Sequence, residues 1–267
     1  HGQYGEGPVT GRPLLVGGEA AGNHYFTVRA VRKAVRFLKT MNAPRYEGSY
    51  WAIIHPDCSY DIQDDPDWKR PHEYKDTSNI YDDEIGKIAG VRFIETTEAK
   101  VFHADDLTEG ARDLTVKSAS SKVLTVNEAI TTADAAKLAG REVVIGGALL
   151  EIESATAAGA GSATITLKEA PAVTPTASTT IYPGEAGAKG RNVYSTLIMG
   201  AEAYGTTELT GGGLEHIVKP LGSAGTADPL NQRATVGWKA TKVAERLVEA
   251  YMIRVETTST FDETPLT

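Results

Sequence analysis

The first strong pattern of apolar and polar positions predicts an amphipathic helix. Apolar residues fall on one helical face at four positions: Val28, Val31, Val35 and Leu38. Spacings of three and four residues follow the turn of an α-helix, so these side chains share one side. Thr27 can cap the N-terminus through its side-chain oxygen, and Pro44 disfavours helical geometry at Ala43. The pattern therefore predicts a helix that starts after Thr27 and ends near Lys39.

Outside that helix, runs rich in apolar and β-branched residues predict strands. The run Tyr50–Pro56 is almost continuously apolar and ends in a proline, which is typical of a buried strand. Four further segments have a strand pattern: Val91–Glu95, Tyr194–Met199, Val236–Lys239 and Ile253–Thr258. The segment Val243–Tyr251 is ambiguous. The order of a helix, separated strands and a C-terminal β element predicts an α+β protein rather than alternating βαβ units.

The middle of the chain differs, because it contains no aromatic residue between positions 103 and 181. Short alternating runs predict strands in five segments: Leu114–Lys117, Val123–Val126, Glu142–Ile145, Ala148–Glu153 and Ala163–Lys168. Ala133–Leu138 predicts a short helix that is closed by Gly140. Strands of this length and spacing are typical of a small β-barrel or sandwich. We expect the flanking segments 104–106 and 183–187 to be linkers.

Two functions fit this middle segment equally well. A displayed β module centred on residues 107–182 would bind a carbohydrate or a receptor. A passive insertion would only add bulk or contacts with neighbouring molecules. The residues alone leave both open.

Composition and charge limit the classes of protein to which this chain can belong. The 267 residues are 41% hydrophobic and 23% charged, as in an ordinary globular chain of one large domain, with or without a smaller insertion. No apolar run approaches the roughly 18 residues that span a bilayer, so we expect neither a membrane-spanning helix nor a membrane partner. Cys58 is the only cysteine, which excludes an intramolecular disulfide and a cysteine-based zinc cluster.

The net charge of −8 argues against a protein that coats nucleic acid. The polar side of the predicted first helix is nevertheless basic: Arg29, Arg32, Lys33, Arg36 and Lys39. In an acidic chain, contact of this side with a partner or with solvent is favoured over nucleic-acid recognition.

The best candidate for catalytic chemistry is an acidic segment with nearby histidines: His55, Asp57, Asp61, Asp64, Asp65, Asp67 and His72. Carboxylates and imidazoles bind divalent metals and act in acid–base catalysis, so a metal-dependent hydrolase that uses Asp57–Asp67 is one hypothesis. A polar surface loop after a strand explains the residues as well. Glycine runs at 159–161 and 211–213 lack a phosphate-loop pattern, and neither Cys58 nor Ser59 has the setting of a nucleophile. We therefore predict no enzyme, no catalytic residue, no metal and no cofactor.

Three blocks of the chain resemble the major capsid protein family of N-four-like tailed phages. In chain order they are Arg32–Lys39 with Asn42–Pro44 and Gly48–Asp57, then Tyr81–Thr96, then Ala227–Ala240. The blocks are long and stand in the family's order, which makes them far more specific than a short motif. The resemblance covers residues 25–102 and 191–260.

The resemblance implies a Hong Kong 97-like capsid fold with an axial and a peripheral domain. It implies a structural protein of the virion that self-assembles, as hexameric and pentameric capsomers, into an icosahedral shell. The shell would enclose double-stranded DNA without sequence-specific binding and would assemble in the host bacterial cytoplasm. Further partners would be the portal and scaffolding or decoration proteins. The family's N-terminal arm, extended loop and spine helix have no counterpart here, so we expect them upstream of His1.

The resemblance also divides the chain into five parts. Residues 1–24 would form an irregular glycine-rich segment. Residues 25–106 and 188–230 would form the two parts of the axial domain, separated by a β-rich insertion domain at 107–187. Residues 231–267 would supply the C-terminal strands of the peripheral domain.

The most family-like loop supplies the candidate residues for a subunit interface: Asp228, Asn231, Arg233 and Trp238. We expect this loop to position the last strands and to reach a neighbouring subunit. An intrachain turn that is shaped by Pro229 and Gly237 explains the same residues. Both hypotheses stay open at the level of sequence.

Overall fold

A computed structural model describes residues 2–6, 9–16, 24–69, 86–208, 214–223, 230 and 232–263. Within them the helices are α1 (Val28–Thr40), α2 (Pro56–Asp64) and α3 (Thr132–Leu138). The strands, in chain order, are β1 (Gly2–Tyr4), β2 (Tyr50–Ile54), β3 (Lys87–Ile88), β4 (Val91–Glu95), β5 (Val101–Phe102), β6 (Leu114–Ser120), β7 (Val123–Val126), β8 (Glu142–Ile145), β9 (Ala148–Thr156), β10 (Thr164–Leu167), β11 (Thr180–Pro183), β12 (Val193–Met199), β13 (Tyr204–Glu208), β14 (Glu215–Lys219), β15 (Thr235–Lys239), β16 (Lys242–Arg246) and β17 (Met252–Thr257).

Helix α1 forms where the apolar spacing predicts it, and two separate groups cap its first turn. The Thr27 hydroxyl accepts a hydrogen bond from the Ala30 amide at 3.2 Å. Asp65 Oδ2 accepts one from the Val28 amide at 2.9 Å. Both bonds satisfy N–H groups that have no partner inside a helix. All four predicted apolar residues are buried, so the expected helix is confirmed.

A mixed sheet carries α1 on one face, which we call the inner face. The strand order is β1-β17-β12-β2-β4-β3, and β5 pairs with the start of β12. β12 pairs antiparallel with β17 along all of β17, whereas β2 and β4 run parallel. Ala52, Ile198 and Ile253 lie side by side in neighbouring strands and are buried in the same cluster as α1. The strands predicted here are confirmed, although β2 ends at Ile54 rather than at Pro56.

The opposite, outer face of the sheet is covered over only part of its area. Near the start of β12, Arg12 donates two hydrogen bonds to the carboxylate of Glu256, from Nε at 2.8 Å and from Nη2 at 2.9 Å. Glu256 is fully buried, and a buried charge is tolerated only when it is paired. The guanidinium of Arg12 also lies 3.4 Å from the centre of the Phe102 ring. The N-terminal segment therefore closes this half of the face.

Residues between β5 and β12 in the chain form a closed barrel with the strand order β10-β7-β6-β11-β8-β9. Its core is aliphatic: Leu107, Leu114, Val116, Leu124, Val126, Ile130, Leu138, Val143, Ile145, Ile152, Ala163, Ile165, Leu167 and Ile181. Even eight-stranded barrels are only wide enough for side chains to fill, so a six-stranded one suits branched aliphatic residues. Of the two predicted forms, a small barrel or a sandwich, the structure has the barrel, and the predicted short helix is confirmed as α3.

One strand of the barrel corrects the sequence analysis. Pro183 was assigned to a linker, but β11 pairs with β6 and β8 and so closes the barrel. The linkers themselves are held by one guanidinium. Arg141 donates to the carbonyl oxygens of Asp105 and Asp106 at 2.9 and 2.8 Å, and to the carboxylate of Glu185 at 2.7 Å.

The segment after β2 also differs from the sequence analysis, because it forms helix α2 and not a surface loop. His55 caps this helix: its Nδ1 accepts a hydrogen bond from the Asp57 amide at 3.2 Å. Pro56 occupies the first helical turn, where its missing N–H would have no partner inside the helix. The same proline therefore ends the strand and begins the helix.

β12 and β17 form the base of one long hairpin that leaves the sheet. Beyond this base, β13 pairs antiparallel with β16, and β14 pairs antiparallel with β15. Backbone bonds from Gly200 N to Tyr251 O (2.9 Å) and from Leu247 N to Ala203 O (3.0 Å) join the two parts. We call strands β13 to β16 the ribbon.

The ribbon resolves the ambiguous segment Val243–Tyr251, which contains the end of β16 and a 3-10 turn at Glu249–Tyr251. β14 lies before residue 230 and β15 lies after it, and the two strands pair with each other. The resemblance placed a boundary between axial and peripheral parts at this residue. The division into domains stays a prediction.

A glycine fixes the base of the ribbon, and its replacement should destabilise the fold. A Cβ at Gly200 would lie 2.6 Å from the carbonyl oxygen of Pro44, which accepts a hydrogen bond from Ala201 N. Gly200→Ala should therefore lower the free energy of unfolding by about 2 kcal/mol, because backbone must move to admit the methyl group.

Gly237 is the matched control, because a Cβ there meets no atom within 4 Å of it among the described residues. Gly237→Ala should change stability by less than about 0.5 kcal/mol in the same urea titration. Equal effects of the two substitutions would contradict the role given to Gly200.

Candidate functional site

The ribbon has two chemically different faces. Residues that lie directly opposite in an antiparallel pair point to the same side, and side chains alternate along each strand. Val218 therefore shares a side with Val236, and His216 shares that side with Trp238. Glu215 and Lys239 lie on the other side, where their charged groups are 2.8 Å apart. The strand pattern thus makes the outer part of the ribbon amphipathic.

The apolar side of the ribbon is exposed to solvent. We call Val218, Val236 and Trp238 the apolar ribbon face; they are 56%, 70% and 73% exposed. Leu214, beside the start of β14, is 77% exposed. Soluble proteins expose single apolar residues freely, but adjacent ones on one face mark an interaction surface.

The sequence-predicted interface residues fall on this element where they are described. Trp238 lies in β15, and Arg233 precedes that strand and is exposed. Asp228 and Asn231 lie outside the described residues, as does Pro229. Gly237 is paired with Ile217 inside β15, so the expectation that it shapes a turn is wrong.

A groove on the outer face of the sheet is the second feature of the site. It has a volume of about 620 Å³ and lies beside the base of the ribbon. Its floor is formed by outward side chains of three neighbouring strands, Trp51 and Ile53 in β2, Ile94 in β4 and Met199 in β12. The walls come from Tyr46 and from the first residue of the ribbon, Tyr204. Its lining is thus mainly apolar and aromatic.

Sequence reasoning missed this groove. The run Tyr50–Pro56 is apolar at almost every position and was interpreted as a buried strand. In the fold, Tyr50, Ala52 and Ile54 face the core, while Trp51 and Ile53 are only half-buried on the outer face. The available signal was the large aromatic Trp51 among smaller aliphatic residues, which does not by itself tell which face is covered.

The described side chains of the acidic segment make separate contacts within the fold and do not cluster at one point. Asp65 caps α1, as described above, and its Oδ1 accepts a hydrogen bond from the Asp67 amide at 2.8 Å. Asp64 pairs with Lys69. Asp61 Oδ1 accepts a hydrogen bond from the Thr260 hydroxyl at 2.6 Å, which ties α2 to the end of the described chain.

Within the described ranges, no three His, Cys, Asp or Glu side chains come together in a group that could hold a metal ion. His72 lies outside those ranges, so the predicted cluster is described only in part. Cys58 is buried against Thr257, with Sγ 3.7 Å from the threonine hydroxyl. Asp61, Asp65 and Cys58 therefore have contacts that support the fold.

The basic side of α1 is exposed, as its sequence pattern predicts. Arg29 lies 3.8 Å from the carboxylate of Glu6, and the Lys33 ammonium donates to the Glu6 carbonyl. Part of this side therefore contacts the N-terminal segment of the same chain. In the part of the chain that the structure describes, no helix has the length and apolarity to cross a membrane.

Comparison with known families gives a match over most of the chain. The family described as "Phage capsid protein" matches residues 25–207, which is more than half of the chain. The first two blocks of the sequence resemblance lie inside this range, and the third, at 227–240, lies beyond its end. The range also runs across residues 107–187, whose status as an insertion stays a prediction. A comparison with curated proteins found no match.

The buried carboxyl of the acidic segment gives a pH-dependent prediction. Burial raises the pKa of Asp61 above its ordinary value of 3.8, although hydrogen bonds from Thr260 and Ser259 oppose the shift. The folded state therefore holds this proton more tightly than the unfolded chain does. The protonated Asp61 carboxyl therefore contributes its full stabilisation below pH 3.8. This contribution is lost as the pH rises through the folded-state pKa.

Asp61→Asn removes this titration, so the variant should gain stability relative to the native protein as the pH rises above 3.8. The gain should be about 1.4 kcal/mol for each unit by which folding raises the pKa. Asp64→Asn, on the exposed side of the same helix, should change stability by less than about 0.5 kcal/mol. Urea unfolding at several pH values measures both, and a difference for Asp61→Asn that does not change with pH would contradict the prediction.

Proposed function

Because the chain belongs to the phage capsid protein family, we propose that it is the major structural subunit of an icosahedral shell that encloses double-stranded DNA. Membership of the family makes it a structural protein of the virion. The shell geometry, the enclosed DNA and assembly in the host cytoplasm are parts of the proposal. So are the contacts with portal, scaffolding or decoration proteins.

The observation that carries this proposal is the exposed apolar ribbon face. A two-stranded hairpin is at best marginally stable alone in water, so a ribbon that projects with its apolar side uncovered needs a partner. Burying each of its large side chains in a neighbour would contribute about 1.5 to 3 kcal/mol. Each contact is modest, but a shell repeats it in every subunit, and linked contacts strengthen one another.

The finer parts of the proposal are the N-four-like relationship, the Hong Kong 97-like fold and the division into axial, peripheral and insertion domains. The matched family and the mixed α+β fold support them. A sheet with a packed helix, a separate barrel placed between two strands of that sheet, and a projecting ribbon are compatible with such a division. A hydrolase gains no support from the acidic segment. Asp65 caps α1 and Asp64 forms an ion pair, while Asp61 accepts a hydrogen bond from the Thr260 hydroxyl.

Removing the apolar ribbon face should prevent assembly without unfolding the subunit. The double variant Val236→Ser/Trp238→Ser deletes two exposed apolar side chains, so its free energy of unfolding should stay within about 1 kcal/mol of the native value. The yield of large particles, measured by sedimentation and negative-stain imaging, should fall at least about tenfold, since 1.4 kcal/mol per contact has that effect.

Val173→Ser is the matched control, because Val173 is an equally exposed valine outside the ribbon. Its particle yield should equal that of the native subunit. The proposal fails if native full-length subunits remain monomeric under all assembly conditions, or if the ribbon variant assembles normally.

A further inference from the structure

We propose that the apolar ribbon face of one subunit docks in the outer-sheet groove of a second copy of the same chain. This inference rests on the proposed shell function and names the surface that accepts the ribbon. It concerns two features that the described chain leaves uncovered: the ribbon face, with Val218, Val236 and Trp238, and the groove above Trp51 and Ile94.

The two surfaces are complementary in chemistry and form. The ribbon presents a row of branched and aromatic side chains on a narrow, two-stranded element. The groove offers about 620 Å³ of space over an apolar floor, edged by the aromatic rings of Tyr46 and Tyr204. Ile94, Tyr46 and Tyr204 are each about half exposed, so the floor and walls retain apolar area that a partner can bury. Aromatic anchors near the centre of a contact typically dominate its binding energy.

The ribbon does not fill the groove of its own chain. Trp238 and Val236 remain more than two-thirds exposed, and no described residue packs over them. Of the described ribbon residues, Tyr204 and Thr206 at its base line the groove, and none in β14 or β15 does. The occupant that this geometry favours is therefore the ribbon of a different copy.

Charge favours the same pairing over contact between two ribbons. Residues 214–242 contain four Lys or Arg and two Asp or Glu, in a chain whose net charge is −8. The whole ribbon, residues 204–246, contains five Lys or Arg and four Asp or Glu, so its net charge is +1 and that of the rest of the chain is −9. The body of another subunit therefore attracts a ribbon more than a second ribbon does. Glu202, which lines the groove, adds a negative charge at the contact.

A ribbon-to-groove contact joins two different patches, so it is heterologous. Such contacts close into rings or extend as lattices, which are the assemblies that a shell requires. The bonds at the base, including Ala201 N to Pro44 O at 2.9 Å, tie the start of the ribbon to the groove wall. They fix the direction in which a subunit offers its ribbon relative to the groove that it presents.

Cysteine cross-linking tests the contact directly, because Cys58, the only cysteine in the 267-residue sequence, is buried. Val236→Cys places a thiol on the ribbon and Ile94→Cys places one in the groove. Full-length subunits of the two variants are mixed, assembled and treated with a short bismaleimide. We expect a cross-linked dimer in the mixture and its loss when the Val236→Cys subunit also carries Trp238→Ser. Each variant alone should give little dimer.

A third variant tests whether cross-links form merely because subunits are crowded together in a shell. Thr235→Cys lies next to Val236 but on the opposite side of the ribbon, so it should not be joined to Ile94→Cys. The inference is overturned if particles form and no Val236–Ile94 product appears, or if Val236→Cys subunits join one another. Absence of particles from native subunits is a different result, because it removes the proposed function itself.

Discussion

The antiparallel pairing of β12 with β17 is the interaction on which the rest of the fold depends. It brings the C-terminal part of the described chain back into the centre of the sheet, where Ile253 meets Ile198. It places Glu256 beneath Arg12, and so fastens the N-terminal segment over one half of the outer face. β12 ends and β17 begins at the same edge of the sheet, because Met199 lies opposite Met252. The chain between the two strands therefore leaves the sheet at this edge as a hairpin. Ribbon and groove are therefore consequences of one pairing.

The fold buries its core side chains in separate apolar clusters and leaves two apolar surfaces exposed. Inside, α1 and the inner face of the sheet form one buried cluster, and the barrel forms another. Outside, the ribbon face and the groove have no cover among the described residues. In the proposed contact, each of these surfaces is buried when it meets the other on a second copy. Assembly then follows from the same burial of apolar area that drives folding.

Local patterns predicted what is determined locally. The spacing from Val28 to Leu38 specified α1, and the alternation along the aromatic-free segment specified most strands of the barrel. Other features depend on distant contacts that leave no local mark. Asp61 accepts a hydrogen bond from Thr260, 199 residues away, and no pattern in the acidic segment indicates that partner. Trp51 sits in a run that is apolar on both sides, so only the fold tells which side stays open. Trp238 was found through the resemblance of its surroundings, and the structure then placed it on an exposed strand.

If the ribbon completes its fold in a neighbouring copy within a shell, an electron cryo-microscopy map of the assembled particle will show it, because the map locates Trp238 relative to every adjacent subunit. We expect closed shells in which Trp238 of each subunit is buried against Trp51 and Ile94 of the next. Shells in which Trp238 faces solvent, or a full-length subunit that remains a stable monomer, would contradict it.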